Sequence, residues 1–436
     1  MLNFTVVLRH PDSVPWITAN NMELFWGARF AIEKWILKLV ECSHDLFWLL
    51  DKFLILAGAR FTPRNRCQRI GWILYRILAC PQPPIALLCF VSAVVFEEDS
   101  ATVVRNLAVF SSFSLSLIKQ RLLSQKFGGI LTIRGLLEAS DFCSGNSDLD
   151  ESVRKRFKRT SRTIIITITS IITVQQIVCW IPSEPRDIIF GIPQWIALCW
   201  GEKVALAIKY WYILISFVCW ISKMYACTVT TVVLMMGFQA EQTILAHSFG
   251  TIGNSLQDLR QNYWDCELTR KQYWERLKRL VRVSLDQQQL LLRYLEELQS
   301  LVEDLFLLIF YASLVLFGMD FVIILYDPSI FMYVTAAGFV FLCSLEVYSL
   351  CYLVDSLKDV FEQIAGHMLY LCARLPYSED HHKDYLDMRV TLQIIALCSR
   401  NAVSFGCAGV SEISVKVFAE MLNNCYSVFT FLREMI

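Results

Sequence analysis

The sequence predicts an all-α membrane protein with seven transmembrane helices, the seventh split in two, and with long cytoplasmic helical extensions. Of its 436 residues, 55% are hydrophobic and only 18% are charged, whereas a typical soluble domain carries about 25% charged residues. Apolar stretches recur at the length of about 20 residues that a spanning helix needs. The segments between them alternate between strongly basic and poor in Lys and Arg.

Six stretches and one terminal region supply the predicted spans. In chain order the six stretches are 77–96, 101–120, 163–183, 204–240, 305–326 and 328–345. The terminal region, 391–432, is too long for one helix. Gly406 and Gly409 break it, which gives a short helix followed by a terminal helix at 411–433.

The distribution of basic residues predicts how these spans are oriented across the membrane. The segment 119–162 holds ten Lys and Arg and 237–303 holds eight, whereas 97–100 and 327–329 hold none. Because positive loops stay in the cytoplasm, we expect a cytoplasmic N-terminus and, after seven crossings, an extracellular C-terminus. The predicted regions are a cytoplasmic N-terminal region with amphipathic helices (1–70), transmembrane helices 1–4 (71–240), a cytoplasmic helical anchor region (241–304), transmembrane helices 5–6 (305–355), and a cytoplasmic loop with split helix 7 (356–436).

Composition and motifs argue against several functions. Lys and Arg number 40, as do Asp and Glu, so net charge gives no reason to expect nucleic-acid binding. No metalloprotease, dinucleotide-binding, serine-hydrolase or P-loop motif occurs, and no two cysteines have C-x-x-C spacing. The His and carboxylate cluster at 379–385 is interpreted as a solvated loop. We therefore expect neither enzymatic activity nor a cofactor.

Lys223, Asp320 and Glu346 are among the charged residues that fall within or beside the predicted spans. An unpaired charge in the membrane is costly. For Lys223, near a helix end, snorkelling to the surface is the favoured interpretation. Asp320 lies deeper, and we expect it to need a partner.

The tail "FGCAGVSEISVKVFAEMLNNCYSVFTFLREM" resembles the C-terminal signature of insect odorant receptors, A-G-x-F-F-x-L-S-L-x-T-F-x-x-I-L-x-x-S-Y-S-x-F-x-x-L-R. Val410 and Ser411 depart from it, since aromatic residues are usual there. The segment "LVRVSLDQQQLLLRYLEELQSLVEDLF" also resembles the family sequence before the fifth span. The residues that match the tail signature are Ala408, Gly409, Ser414, Phe418, Leu422, Tyr426, Ser427, Phe429, Leu432 and Arg433.

The resemblance implies an odorant-gated, nonselective cation channel, tetrameric and usually formed with a co-receptor subunit. A long cytoplasmic insertion typical of the co-receptor is not evident, which favours an odorant-tuning subunit. The implied partners are a small volatile odorant, the co-receptor and membrane lipid, and the implied location is the plasma membrane of a sensory neuron dendrite. The alternatives are a gustatory receptor-type channel subunit or an unrelated polytopic transporter.

The resemblance also implies a ligand pocket in the outer half of the membrane, enclosed by the second, third, fourth and sixth spans. A small apolar ligand needs aromatic walls and one or two polar groups. For each candidate, ordinary helix packing is the alternative interpretation. The candidates, grouped by shared helical face, are Asn106 and Phe110; Thr173, Gln176, Ile177 and Trp180; Tyr210 and Leu214; and Tyr333 and Ala337.

The terminal helix would line a central pore. Its residues Ser414, Val417, Met421 and Asn424 are spaced three and four apart and so share one face. Val417 and Met421 would form an apolar constriction of the kind that gates by dewetting, and Asn424 would hydrate a passing cation. The alternative is that Val417 and Met421 are core residues.

Overall fold

The computed structural model describes residues 45–59, 65–96, 100–139, 142–181, 190–264, 266–326, 330–402, 404–406 and 412–435. Within them the regular structure is helical, without strands. The chain divides into a small unit, Met1–Leu49, and a large one, Leu50–Ile436. The amphipathic helices predicted before residue 45 lie outside the described residues. The helical bundle belongs to the large unit.

The described α-helices are numbered in chain order. A π-helix, Ser216–Ile221, joins α8 to α9, and a short 3-10 helix, Glu379–His381, precedes α13. The α-helices are α1 (Leu46–Leu56), α2 (Arg66–Ala79), α3 (Gln82–Phe96), α4 (Ser100–Gln125), α5 (Phe127–Ala139), α6 (Ser147–Trp180), α7 (Gln194–Trp200), α8 (Glu202–Ile215), α9 (Ser222–Ser255), α10 (Gln257–Gln261), α11 (Glu267–Tyr326), α12 (Ile330–Ala373), α13 (His382–Asn401) and α14 (Val415–Met435).

Helix α9 is the central element of the bundle. It packs against α4, α6, α11 and α12, and most of its residues from Ser222 to Ala246 are buried. A helix surrounded in this way carries apolar residues on every face. The hydroxyls of Thr230 and Thr231 donate to carbonyl oxygens one turn earlier, at 2.7 and 2.9 Å, so these buried groups stay satisfied.

Within the part of the chain that the structure describes, five helical segments are long and apolar enough to cross a membrane. Helices α4 and α14, which contain the predicted second span and the terminal part of the seventh, are not among them. Arg105, Asn106 and several serines lower the hydropathy of α4, and Lys416 and Asn424 that of α14. The count of seven spans and the two terminal orientations therefore stay predictions. The five segments are Arg66–Phe96, Ser147–Trp180, Glu202–Gln261, Glu267–Leu325 and Ala336–Ala373.

Four of the described helices extend well beyond the thickness of a bilayer. Helix α11 has 60 residues, α12 has 44, and α6 and α9 have 34 each. At about 1.5 Å per residue, α11 is roughly three times as long as the hydrocarbon core is thick. Along its first half, apolar residues at helical spacing form a stripe that packs within the chain, where Leu277, Leu291 and Leu295 are buried.

The terminal region is divided as the glycines predict. Helix α13 ends at Asn401 and α14 begins at Val415. Between them, the Ile413 N–H donates to the Phe405 carbonyl at 2.9 Å. Gly409 lies outside the described residues, while Gly406 donates its N–H to the Glu303 carboxylate at 3.1 Å, which fixes the connection against α11.

Candidate ligand site and pore helix

Gln176 bridges α6 to the interrupted fourth-span helix. The π-helix between α8 and α9 leaves some backbone groups without the regular helical partner. The Gln176 amide donates to the Ile213 carbonyl at 2.9 Å, and its oxygen accepts from the Val218 N–H at 3.3 Å. The side chain is buried, with 3% exposed. Gln176 thus links the end of α8 to the π-helix and stabilises the irregular turn there.

Three predicted ligand residues meet in an open depression of about 480 Å³ between α6 and α8. Trp180, Tyr210 and Leu214 are each at least half exposed, and Trp211 and Ile213 complete the lining. Large exposed aromatic side chains around a concave surface are suited to an apolar ligand.

The other candidates on α4 and α6 have local partners. The Asn106 amide donates to the Thr102 carbonyl at 3.1 Å, and the Thr173 hydroxyl donates to the Thr169 carbonyl at 2.8 Å. Phe110 stacks on Phe90 with ring centroids 6.0 Å apart. Ile177 is half exposed.

Tyr333 and Ala337 lie near the start of α12, and both are exposed. Neither lines the depression that contains Trp180 and Tyr210. The depression therefore brings together Trp180 of α6 with Tyr210 and Leu214 of α8, and the α12 pair is not part of its lining.

A deeper cavity of about 160 Å³ lies between α6, α9 and α12. Its walls are almost wholly apolar. The exceptions include Thr228, Glu346 and Gln175. The side-chain oxygen of Gln175 is buried and has no hydrogen-bond partner among the described residues. The lining residues are Ile164, Ile168, Ile171, Ile172, Gln175, Ile221, Tyr225, Thr228, Val229, Val232, Leu342, Leu345, Glu346 and Ser349.

A buried ion pair adjoins this cavity. Lys119 Nζ of α4 donates to both carboxylate oxygens of Glu346 on α12, at 2.7 and 2.8 Å. The Thr228 hydroxyl of α9 donates to the same carboxylate. Lys119 is fully buried and Glu346 is 4% exposed. The pair therefore joins three helices in a medium where neither charge is solvated.

Asp320 on α11 has no hydrogen-bond or ion-pair partner among the described residues, so the partner that the sequence predicts stays a prediction. Its Oδ2 is buried and accepts no hydrogen bond from the residues that the structure describes. The adjacent Phe321 contacts Phe429 of α14, with ring centroids 4.7 Å apart. Asp320 therefore lies close to the terminal helix.

The first turn of α14 is held by two acceptors. Asp355 of α12 accepts a hydrogen bond from the Val415 N–H at 2.8 Å, and Ser414 accepts from the Val417 N–H at 3.4 Å. These acceptors satisfy amides that have no partner inside the helix. Lys358 of α12 also pairs with Glu412 just before α14. The start of the terminal helix is thus tied to α12.

The four residues of the predicted pore face of α14 differ in their exposure within the single chain. Met421 is 1% exposed and packs inside its own chain, on the same side as Cys425. Ser414 and Val417 are half-buried, and Asn424 is exposed. Of the four predicted pore residues, Asn424 is thus the most accessible to a neighbouring subunit or a pore.

The sequence profile of the 7tm odorant receptor family matches residues 100–426. The chain belongs to this family. The match favours an odorant receptor over the gustatory-type and transporter alternatives, and it places the chain in a receptor class rather than an enzyme class. No curated protein matches the chain significantly.

Two solved structures show that this odorant receptor has the fold of insect olfactory receptors. One is the olfactory receptor OR5 from Machilis hrabei, with a TM-score of 0.57 at 14% identity, covering 93% of this chain and 99% of that chain. The other is OR5 in complex with eugenol, with a TM-score of 0.58 at 14% identity, covering 90% and 100%. The five apolar helical segments fit a multi-pass membrane protein.

Ion pairs join the first part of α11 to the start of α13 and to the 3-10 helix before it, outside the apolar stretches of this odorant receptor. Lys278 Nζ of α11 contacts Asp384 of α13 at 2.5 Å, and Arg270 contacts Asp380 at 3.5 Å. The hydrogen bond from Lys278 holds the pKa of the Asp384 carboxyl below its usual range. At neutral pH Asp384 is therefore ionised and the contact between α11 and α13 is charged.

Sequence reasoning missed the deeper cavity and the ion pair. The cavity had a signal, because Ile164, Ile168, Ile171 and Gln175 recur at helical spacing on one side of α6. The prediction instead used the neighbouring face of α6, which contains Thr173 and Gln176. The partners Lys119 and Glu346 are 227 residues apart, so no local pattern links them.

Proposed function

We propose that this chain is an odorant-tuning subunit of a ligand-gated, nonselective cation channel. The observation that carries the proposal is membership of the odorant receptor family, with a fold that superposes on a receptor solved with eugenol. Eugenol is a small, largely apolar phenol. By analogy, the ligand of this chain is a small volatile molecule of mostly apolar surface with one or two hydrogen-bonding groups.

The ligand site we propose is in the outer half of the membrane. The depression bordered by Trp180, Tyr210 and Leu214 provides its aromatic wall. Gln176 lies one turn before Trp180 on α6 and donates to the carbonyl of Ile213, which lines the depression. Together with its bond to the π-helix, this contact would couple ligand binding to the shape of the fourth-span helix. The remaining proposed contacts are Asn106, Phe110, Thr173, Ile177, Tyr333 and Ala337.

Replacing Trp180 by alanine is expected to shift the odorant concentration-response to higher concentrations, because an exposed aromatic wall of the site is lost. Current driven by a co-receptor agonist should be unchanged. The measurement is a concentration-response curve for both agonists from the same cells. Trp200→Ala is the matched control, since Trp200 is also an exposed tryptophan and lies outside the depression. Equal curves for Trp180→Ala, Trp200→Ala and the unsubstituted chain would place the site elsewhere.

The channel assembles as a tetramer with the co-receptor in the plasma membrane of the sensory neuron dendrite. Helix α14 from each subunit surrounds the pore, and Asn424 faces it with Ser414, Val417 and Met421 nearby. The anchored start of α14 supports this role, since Asp355 and Lys358 of α12 contact it directly, so that a movement of α12 would also move the terminal helix.

The proposed topology has a cytoplasmic N-terminus and an extracellular C-terminus. An epitope tag after Ile436 should therefore be labelled on intact cells, and a tag before Met1 only after permeabilisation, because basic loops remain inside. Antibody labelling of both tagged chains is the measurement. Labelling of the N-terminal tag alone on intact cells would overturn the orientation.

A further inference from the structure

Another cavity, of about 620 Å³, lies between α2, α3, α4 and the junction of the π-helix with α9. Two hydrogen bonds fix its walls: Tyr75 Oη donates to the Leu56 carbonyl at 2.5 Å, and Gln120 Nε2 donates to the Gly58 carbonyl at 2.9 Å. Gly58 has a φ of 68°, a conformation that favours glycine. The turn after α1 is thereby joined to both α2 and α4.

The cavity carries cationic donors. Lys223 and Arg76 both line it, and none of the described residues in its lining is acidic. None of the ion pairs among the described residues involves either cation. The indole Nε1 of Trp220, another lining residue, is buried and has no hydrogen-bond partner in the described part of the chain.

Lys223 is the most informative of these groups. Its side chain is only 8% exposed, so it does not reach bulk water as snorkelling would require. Its Nζ lies 4.0 Å from the centroid of the Trp220 ring, a cation–π contact that offsets only part of the lost hydration. A buried ammonium without a counter-ion is costly, and an anion in the cavity would remove most of that cost.

The position of the cavity narrows the chemistry of the anion. Arg76 immediately precedes the uncharged stretch 77–96, so the cavity is at a boundary of the apolar region. Trp72 and Tyr75 line it, and such aromatic residues concentrate at the level of lipid headgroups. With the proposed orientation this is the cytoplasmic leaflet, which is rich in anionic lipid.

We propose that Arg76, Lys223 and the Trp220 indole form a binding site for a phosphate group. The guanidinium and ammonium supply charge-assisted hydrogen bonds, and the indole N–H adds a neutral donor. Two sources of phosphate are present at the level of the lipid headgroups: an anionic phospholipid headgroup and free phosphate. This site is separate from the depression at Trp180 and does not depend on the channel function.

The test is the thermal unfolding midpoint of the full-length protein, purified in a neutral detergent. It is titrated in parallel with dioctanoyl phosphatidic acid, with dioctanoyl phosphatidylcholine, and with inorganic phosphate against sodium chloride of equal ionic strength. Phosphatidic acid should raise the midpoint saturably, since a ligand that binds the folded state stabilises it, while phosphatidylcholine should not. A saturable rise with inorganic phosphate identifies the free anion as sufficient, and no rise with it identifies the lipid.

Three variants assign the effect to the cavity. Arg76→Gln changes an exposed residue and should abolish the rise. Lys223→Met should abolish it and also raise the midpoint without ligand, because it removes a buried charge. Arg156→Gln, which removes an exposed cation on α6, should keep the full rise. The proposal is overturned if neither phosphate source raises the midpoint, if Arg76→Gln retains the rise, or if Arg156→Gln loses it. No current is recorded, so this result is independent of the proposed channel function.

Discussion

Glu346→Ala is expected to lower the free energy of unfolding by about 3–5 kcal/mol, the cost of breaking a buried ion pair by removing one partner. Lys119 is fully buried and would lose both of its hydrogen bonds to the carboxylate. Thr228 would lose its acceptor at the same time. The effect should appear as a lower unfolding midpoint of the purified protein in one detergent.

Glu296→Ala is the matched control, because Glu296 is an exposed carboxylate on α11 and its removal should change stability by less than about 1 kcal/mol. The double variant Lys119→Met/Glu346→Leu should recover most of the loss, since apolar side chains of similar volume often replace a buried pair without cost. A midpoint for Glu346→Ala equal to that of the control would show that the pair does not hold α4 and α12 together.

Asn424→Cys should give a channel that loses most of its current when a charged thiol reagent is added together with odorant. The reagent would place a charge and added bulk on the exposed residue of the proposed pore face. Met421→Cys should react slowly or not at all, because Met421 is 1% exposed in the single chain. The measurement is the rate of current loss with and without odorant.

Tyr426→Cys provides the control for accessibility alone. Tyr426 is 66% exposed, and two residues along a helix turn its side chain about 200° away from Asn424. The unsubstituted chain controls for its native exposed cysteines. Loss of current in Tyr426→Cys with none in Asn424→Cys would show that the opposite face of α14 lines the pore.

The helical architecture could be predicted from sequence because its signals are strong and local. Apolar stretches of bilayer length place the helices, and Gly406 predicts the break before α14. The amphipathic stripe containing Leu277 and Leu295 predicts the extension of α11. Each of these signals lies within one element, so no partner had to be known.

The orientation of each helix within the bundle could not be predicted in the same way. In a membrane both the packed and the lipid-facing sides of a helix are apolar, so hydropathy does not separate them. Met421 and Asn424 therefore looked equivalent in sequence, although one is buried and the other exposed. Likewise nothing near Gln176 indicates that its amide bonds to the backbone around a π-helix.

The claim that this chain is an odorant-tuning channel subunit is tested most directly by expressing it with an odorant co-receptor and recording currents during a screen of volatile compounds. We predict that at least one volatile evokes a cation current in cells with both chains and none in cells with the co-receptor alone. The contradictory result is the absence of any such current while a surface label confirms the chain and a co-receptor agonist still opens the channel.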